Sequence, residues 1–328
     1  MCNLLQLAIA VGILSVACVH AQTPGSSASA YPARTVRIVV GFAPGGGIDV
    51  VSRFYAQRLT ESLGQSFVVE NRPGAGGTIA SEVVAKSPPD GYTLIMVSVT
   101  HAINATLYSK LPYDSIKDFA PISPVALQAD CIAVHPSVPV KSVRELISFA
   151  KVNPNSLSYA SAGSGTLMHV GMELFNSMAG IKLLHVPYNG AGPSTIAVLG
   201  GQVPVLSTSL PTALPHAKGG KLRMLAVTSA QRTPLAPEFP TVAEAAGIPG
   251  YEAIVWIGLL APAATPSAVV NRLNAEIDRL TQSREIREQL ATQMSDAYRD
   301  TPTAFAQLIR NDISKWGRVV RETGAKVD

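Results

Sequence analysis

Two glycine-rich turns carry the residues best suited to chemistry. Ala43-Pro44-Gly45-Gly46-Gly47 leads to Asp49, and Ser161-Ala162-Gly163-Ser164-Gly165 leads to Thr166, each between an apolar run and an amphipathic one. Where a strand hands over to a helix, the first helical N–H groups lack partners and the helix dipole favours an anion. Small residues let the backbone approach such a ligand, and Ser164 and Thr166 add hydroxyls. Glycine also serves tight turns for purely structural reasons. Two such turns, one in each half of the chain, favour binding. Neither the first turn nor the 74–77 loop completes G-x-G-x-x-G, because Val50 and Ile79 stand where the third glycine would fall. No G-x-x-x-x-G-K-[ST] occurs in the turns either, which argues against nucleotide phosphate and leaves a carboxylate.

Catalysis finds less support. Ser164 has Ala162 two residues before it and Thr166 two after, so the G-x-S-x-G elbow is absent. The six histidines are scattered, without H-x-H, H-E-x-x-H or a Cys/His cluster, which argues against a metal site. His169 and Glu173 stand one helical turn apart and could form an acid–base pair, although a surface i,i+4 pair is the commoner arrangement. Asp49 could act as a base, but an N-cap or a cleft-edge acceptor suits its place better. His101 either reaches a cleft or caps a loop.

The elements that must position these residues alternate. Val36-Arg37-Ile38-Val39-Val40 reads as a buried strand, followed by a helix whose rough apolar face is Val50, Val51, Phe54, Leu59 and Leu63 and whose stop is Gly64. Residues 67–70 read as a second strand, 78–86 as a helix and 93–99 as a third strand. The unit restarts at 157–160, with Leu167, Val170, Leu174, Phe175 and Met178 on the face of the next helix. Further strands are expected at 183–187, 203–207 and 222–228, and 251–261 reads as a strand crossing between domains. Thr265-Pro266 and Thr301-Pro302 open two closing helices. The order predicts an α/β fold with a parallel sheet covered on both faces, and its repetition predicts two similar lobes around a cleft.

The chain's 328 residues suffice for two domains. A balance of 26 Lys+Arg against 22 Asp+Glu, with no basic run, argues against nucleic acid. Residues 4–19 are uncharged and mostly apolar, and Val19-His20-Ala21 ends them with an A-x-A-like site. Residues 1–21 therefore read as a signal peptide and 22–30 as a linker. No Lys or Arg precedes the apolar run, which a misassigned start codon would explain. A membrane anchor needs about 20 apolar residues and fits less well. Lipidation of Cys18 is disfavoured by Ser15, where Leu is preferred. Cleavage would leave Cys131 alone, so no disulfide could form within the chain.

The run VRIVVGFAPGGGIDVVSR, then VVENRPGAGGTIASEVVAKSPPDGYTLIM, HAIN and LPYD, resembles the Bug-type extracytoplasmic solute receptors, the binding proteins of tripartite tricarboxylate transporters. SYASAGSGTLMHVGMELF, HVPYNGAGPSTIAVLGGQV, GGKLRMLAVTSAQR and FPTVAEAAGIPGYE continue the likeness in order, so that it spans roughly 31–328. The resemblance implies a two-lobed periplasmic binding protein fold, type II-like, each lobe a mixed sheet flanked by helices and the ligand cleft between them. Residues 31–128 with 252–328 would form lobe 1 and 129–251 lobe 2. A small carboxylate (a di- or tricarboxylate, an amino acid or an aromatic acid) would be held by backbone amides and waters and delivered to a membrane permease. The implied protein is a periplasmic monomer with no cofactor, no metal and no catalytic residue. By the same resemblance Phe42, Ala43, Pro44, Gly45, Gly46, Asp49, Thr100 and His101 would line lobe 1. Ser161, Ala162, Gly163, Ser164, Thr166, His169, Tyr188, Asn189 and Gly190 would line lobe 2. Two departures, Ile48 in place of a small hydroxyl residue and Val203-Pro204-Val205 in place of an acidic one, favour an apolar or aromatic ligand. A ligand sensor and, less favoured, an enzyme acting on a small carboxylate are the alternatives on this scaffold.

Overall fold

Residues 31–325 and 327 are described by a computed structural model of the chain. The expected signal peptide and linker, with Cys18, lie outside the described residues. Strand β1 (Val36–Val40) is mostly Val and Ile, side chains that pack well on a pleated surface. It lies between β2 (Phe67–Asn71) and β3 (Thr93–Ser98), parallel to both. Helix α1 (Gly47–Leu63) makes the first crossover, with Val51, Phe54, Tyr55 and Leu59 buried on one face. It stops at Gly64, whose left-handed backbone (φ 72°) lets its N–H donate to Thr60 O. A 3-10 turn (Ala75–Gly77) and α2 (Thr78–Ala85) make the second crossover, and α3 (Thr100–Leu107) follows β3.

The sheet is mixed rather than parallel. Strand β4 (Phe119–Val134) and strand β9 (Ile254–Pro262) run antiparallel to each other, and β9 also runs antiparallel to β3. Residues 119–129 of β4 pair with β9, whereas Asp130–Val134 pair with β7 (Val205–Ser209), and Cys131–Val134 also with β8 (Arg223–Val227). Beyond β7 lie β5 (Ser158–Ser161) and then β6 (Leu184–Pro187), parallel to one another. The strand order is β2-β1-β3-β9-β4-β7-β5-β6, with the short β10 (Asp296–Ala297) added on β4. Strand β4 therefore crosses between the strand groups; in the 251–261 segment, β9 pairs with β3 and β4, and Ala253 N donates to Thr228 O just past β8 (2.8 Å). Pro121 and Pro124 obscure β4 in the sequence. Both stand beside register shifts against β9, where a strand tolerates a residue without an N–H.

Helices cover both faces. One apolar cluster runs under both strand groups and includes Ile95, Ile132, Tyr159, Phe175, Trp256, Phe305 and Trp316. A second lies under α1, α9 (Ser267–Gln282) and α10 (Arg284–Thr292), and a third under α6 (Ala191–Leu199) and α7 (Leu210–Lys218). The closing helix α11 (Pro302–Thr323) packs on α3 so tightly that a Cβ on Gly317 would stand 2.8 Å from Thr106 Oγ1. Trp256 Nε1 ties β9 to the same helix by donating to Asp312 Oδ2 (2.5 Å).

Candidate ligand-binding site

The expected site residues gather at the carboxyl ends of parallel strands. Residues 41–46 follow β1, 99–101 follow β3, 162–166 follow β5 and 188–190 follow β6. Open α/β sheets take ligands at this edge, because helix N-termini face it.

In the first strand group, two loops cross almost backbone on backbone. A Cβ on Gly41 would lie 2.6 Å from Gly77 Cα, and the Phe42 ring lies over Gly77. These loops, with Ser81, Ser98, Thr100, His101 and Asn104, enclose a cavity of 10 Å³, room for one water. The contribution of Gly76 and Gly77 was missed by the reading of the first turn alone. Its signal was present, since Gly74, Gly76 and Gly77 all take positive φ (139°, 60° and 88°) between a strand and a helix. Gly41→Ala is expected to lower the melting temperature by a few degrees, because the clash is with backbone and overpacking costs about 1–3 kcal/mol. A melt followed by circular dichroism that is unchanged would show that the loops separate freely.

His101 is buried, its Nε2 3.0 Å from Ser115 O, and its ring stacks on Tyr113 and meets Phe119 edge-on. Burial pulls its pKa down to about 4 despite that hydrogen bond, so the ring is neutral at pH 7. It both lines the cavity and ties down the loop at Ser115. Asp49 is neither N-cap nor cleft-edge acceptor. The N-cap is Gly46, and Asp49 is 2% exposed. Its carboxylate accepts from Gly45 N (2.9 Å), Arg53 Nε (3.0 Å) and Asn71 Nδ2 (2.8 Å). Burial alone would push its pKa up, but the bonds from Arg53, Gly45 and Asn71 outweigh burial and leave it below the usual carboxylate range. Asp49 thus locks the first turn from inside, while Ala43, Pro44, Gly45 and Gly46 are exposed.

In the second group, Tyr188 N donates to Ser161 O and Gly190 N to Ala162 O (both 3.1 Å), which lays 188–190 along the second turn. Asn189 is exposed. Within the turn, Thr166 N and Oγ1 both donate to Gly163 O (3.3 and 2.7 Å). His169 and Glu173 do not form the expected surface pair. His169 is 4% exposed and stacks on His185 with centroids 3.9 Å apart, while Glu173 accepts from Tyr159 Oη (2.6 Å). The two strand groups meet at this turn. A Cβ on Gly165 would stand 2.4 Å from Leu107 Cδ2 and 3.6 Å from Asn104 Oδ1, both on α3.

Comparison with known proteins accords with this architecture. Residues 51–325 match TctC, the tripartite tricarboxylate transporter family receptor. The chain belongs to that family. BugT of Bordetella pertussis is 37% identical to this receptor over 303 residues, 92% of this chain and 93% of that protein. A solved structure of R. palustris Rpa4515 with adipate superimposes with a TM-score of 0.85 at 36% identity, covering 91% of this chain and 100% of that one. MatC from Rhodopseudomonas palustris with bound malate gives 0.80 at 34% identity, covering 88% and 100%.

One expectation about the receptor's ligand falls away. Ile48 is buried in the cluster under α1, so it forms no apolar cleft wall, and Val203 and Val205 are core residues of their own clusters. One titratable group of the receptor went unseen. Asp130 is 2% exposed, and both its carboxylate oxygens lack a partner among the described residues. Burial pushes its pKa up to about 7. It pairs with Ser209 at the carboxyl end of β7, where β4 passes from one strand group to the other. A lone acid in the run Ala129-Asp130-Cys131-Ile132 was the available signal.

Proposed function

We propose that this receptor captures a small organic carboxylate between its two strand groups in the periplasm and delivers it to a tripartite tricarboxylate-type permease. The observation that carries the reading is the meeting of the second glycine turn, at the N-terminus of the helix Leu167–Ala179, with Asn104 and Leu107 in the last turn of α3, which brings the two strand groups together at that turn. Among the described residues the Ser164 amide has no partner in the turn, and on this reading it donates to the bound anion. No Arg or Lys falls within either turn, so amides, hydroxyls and waters hold the ligand. Adipate and malate in two solved relatives support the carboxylate class.

The lobes on this reading are 31–128 with 252–328, and 129–251. This division is supported by the change of partner on β4 one residue further on, where Ala129 pairs with Ile254 and Asp130 with Ser209. On this reading the lobes part to load and close to retain, while the 10 Å³ cavity within the first strand group has room for a water only. Phe42, Ala43, Pro44, Gly46, Thr100 and His101 face Ser161, Ala162, Gly163, Ser164, Thr166, Tyr188, Asn189 and Gly190 across the cleft. The receptor acts by binding, without cofactor or turnover, as a monomer released by cleavage near Ala21.

A thermal-shift panel on the chain from Gln22 tests this reading. It includes adipate, malate, tricarboxylates, acidic amino acids and aromatic acids. One class is expected to raise the melting temperature by several degrees, since saturation at 100 times Kd adds about 2.7 kcal/mol. A flat panel, after refolding to strip co-purified solute, would overturn the carboxylate reading.

A further inference from the structure

We propose that the stacked imidazoles of His169 and His185 are positioning residues for the second glycine turn, and that a proton taken up by the pair loosens the turn's hold on a bound solute. The inference rests on the receptor reading only for its effect on binding.

The rings lie 3.9 Å apart and 9° from parallel, and each is wired to one glycine amide of the turn. Gly165 N–H donates directly to His169 Nδ1 (3.2 Å). Gly163 N–H donates to Ser161 Oγ (3.1 Å), which in turn shares a 2.7 Å hydrogen bond with His185 Nε2. Both glycines hold positive φ, 133° and 81°, so these side chains set the direction of an otherwise permissive backbone. Because His169 Nδ1 accepts, the proton of the neutral ring sits on Nε2. A second proton, on Nδ1, would face the Gly165 N–H donor against donor, and that bond would be lost.

His185 does not share the charge. Burial first, and the neighbouring His169 second, hold its pKa down to about 3, so acid places its proton on His169. The other polar groups around the pair come from β5, from α5 (Leu167–Ala179) and from the connecting segments at Lys182 and Tyr251. Tyr159 of β5 has its ring 5.0 Å from His185, and its hydroxyl donates to Glu173 Oε1 and lies 3.4 Å from His169 O. Glu173 of α5 also accepts from Asn176 (3.4 Å) and feels Lys182. Tyr251 donates to Gly171 O on the same helix. The Glu173 carboxyl is engaged by Tyr159 and Asn176, and the ring nitrogens of the two histidines are what touch the turn. The hold is complete while both rings are neutral and is lost as pH falls.

An NMR titration of the mature chain from pH 8 to 4.5 tests the wiring without any solute. The Gly165 amide and the His169 imidazole are expected to titrate with one midpoint. In His185→Phe, which keeps a ring in the stack and removes its nitrogens, that midpoint is expected to rise. A Gly165 amide that stays flat while His169 titrates would overturn the proposal, and so would a His169 that takes no proton in this range. A midpoint that does not rise in the variant would remove His185 from it. Calorimetry with adipate and malate then reads the consequence. Affinity for whichever acid binds is expected to fall at least about fivefold through the midpoint, the effect of stranding a buried donor. It should stay level in His169→Gln, whose amide oxygen accepts the same N–H and takes no proton. Level affinity in the unsubstituted protein would overturn the coupling. If neither acid binds at any pH, the ligand class proposed above is at fault, and the amide titration still decides the wiring.

Discussion

Asp130→Asn is expected to raise the melting temperature at pH 8 by on the order of 5 °C and to steepen the loss of stability on acidification. The carboxyl group of Asp130 is buried without a partner among the described residues, and burial lifts its pKa to about 7 from an ordinary 3.8. Between those values the folded chain holds a proton that the unfolded chain has released, so stability falls as pH rises from about 4 through 7. Above pH 7 the folded state carries a buried charge. A span of about three pH units corresponds to at most ~4 kcal/mol. His101 and His185 act in the opposite sense. Their pKa values are depressed to about 4 and about 3, so the unfolded chain binds protons first and stability is lost as pH falls below about 6.5. The two slopes oppose each other in the unsubstituted protein. Asparagine keeps the shape of the side chain, removes one slope and leaves the histidines' slope unopposed. Scanning calorimetry of both proteins at pH 8, 6.5 and 5 checks this. A variant less stable than its parent at pH 8 would mean that the Asp130 carboxylate has a counter-charge in solution.

Gly165→Ala is expected to weaken binding of the carboxylate identified by the panel by about tenfold or more, with a melting temperature only a few degrees lower. Two causes combine. The φ of 81° costs an L-residue about 1–2 kcal/mol. The new Cβ would also stand 2.4 Å from Leu107 Cδ2, on the other side of the contact between the strand groups. On the proposed closure that contact belongs to the closed arrangement, so the clash would bear on retention of ligand more than on either core. Since Cδ2 is the far end of a flexible side chain, adding Leu107→Ala makes room and should restore part of the lost affinity. The backbone strain would remain. Titration calorimetry of the single and double variants separates the two causes. A double variant no better than the single one would mean that the turn and α3 do not close on each other around the ligand.

Much of the strand-and-helix order was legible, because its signals are local. The apolar run of β1, the stop at Gly64, and the spacing of Leu167, Val170 and Phe175 each depend on residues a few positions apart. The two glycine turns were legible for the same reason, since a positive φ next to a helix start demands glycine wherever the chain goes afterwards. Strand β4 was not legible. Its prolines and its acid are tolerated only because register shifts against β9 and a change of partner from β9 to β7 accommodate them.

The same division runs through the site. Residue type and spacing were enough to place Asp49, His101 and His169 near strand ends, and they stand there. What their side chains do depends on partners distant in sequence. Asn71, 22 residues on, helps turn the Asp49 carboxylate inward, and Ser115 claims His101 Nε2. His185 lies against His169 because β6 pairs in parallel with β5, which sets His185 beside Tyr159 and against the helix that follows the second glycine turn. Hydrogen bonds and ring stacks act over a few ångströms, so the direction of a side chain follows from packing across the sheet. Backbone preferences act within a turn or two, which is why the chain alone reveals where a site lies and the folded sheet reveals which atoms face it.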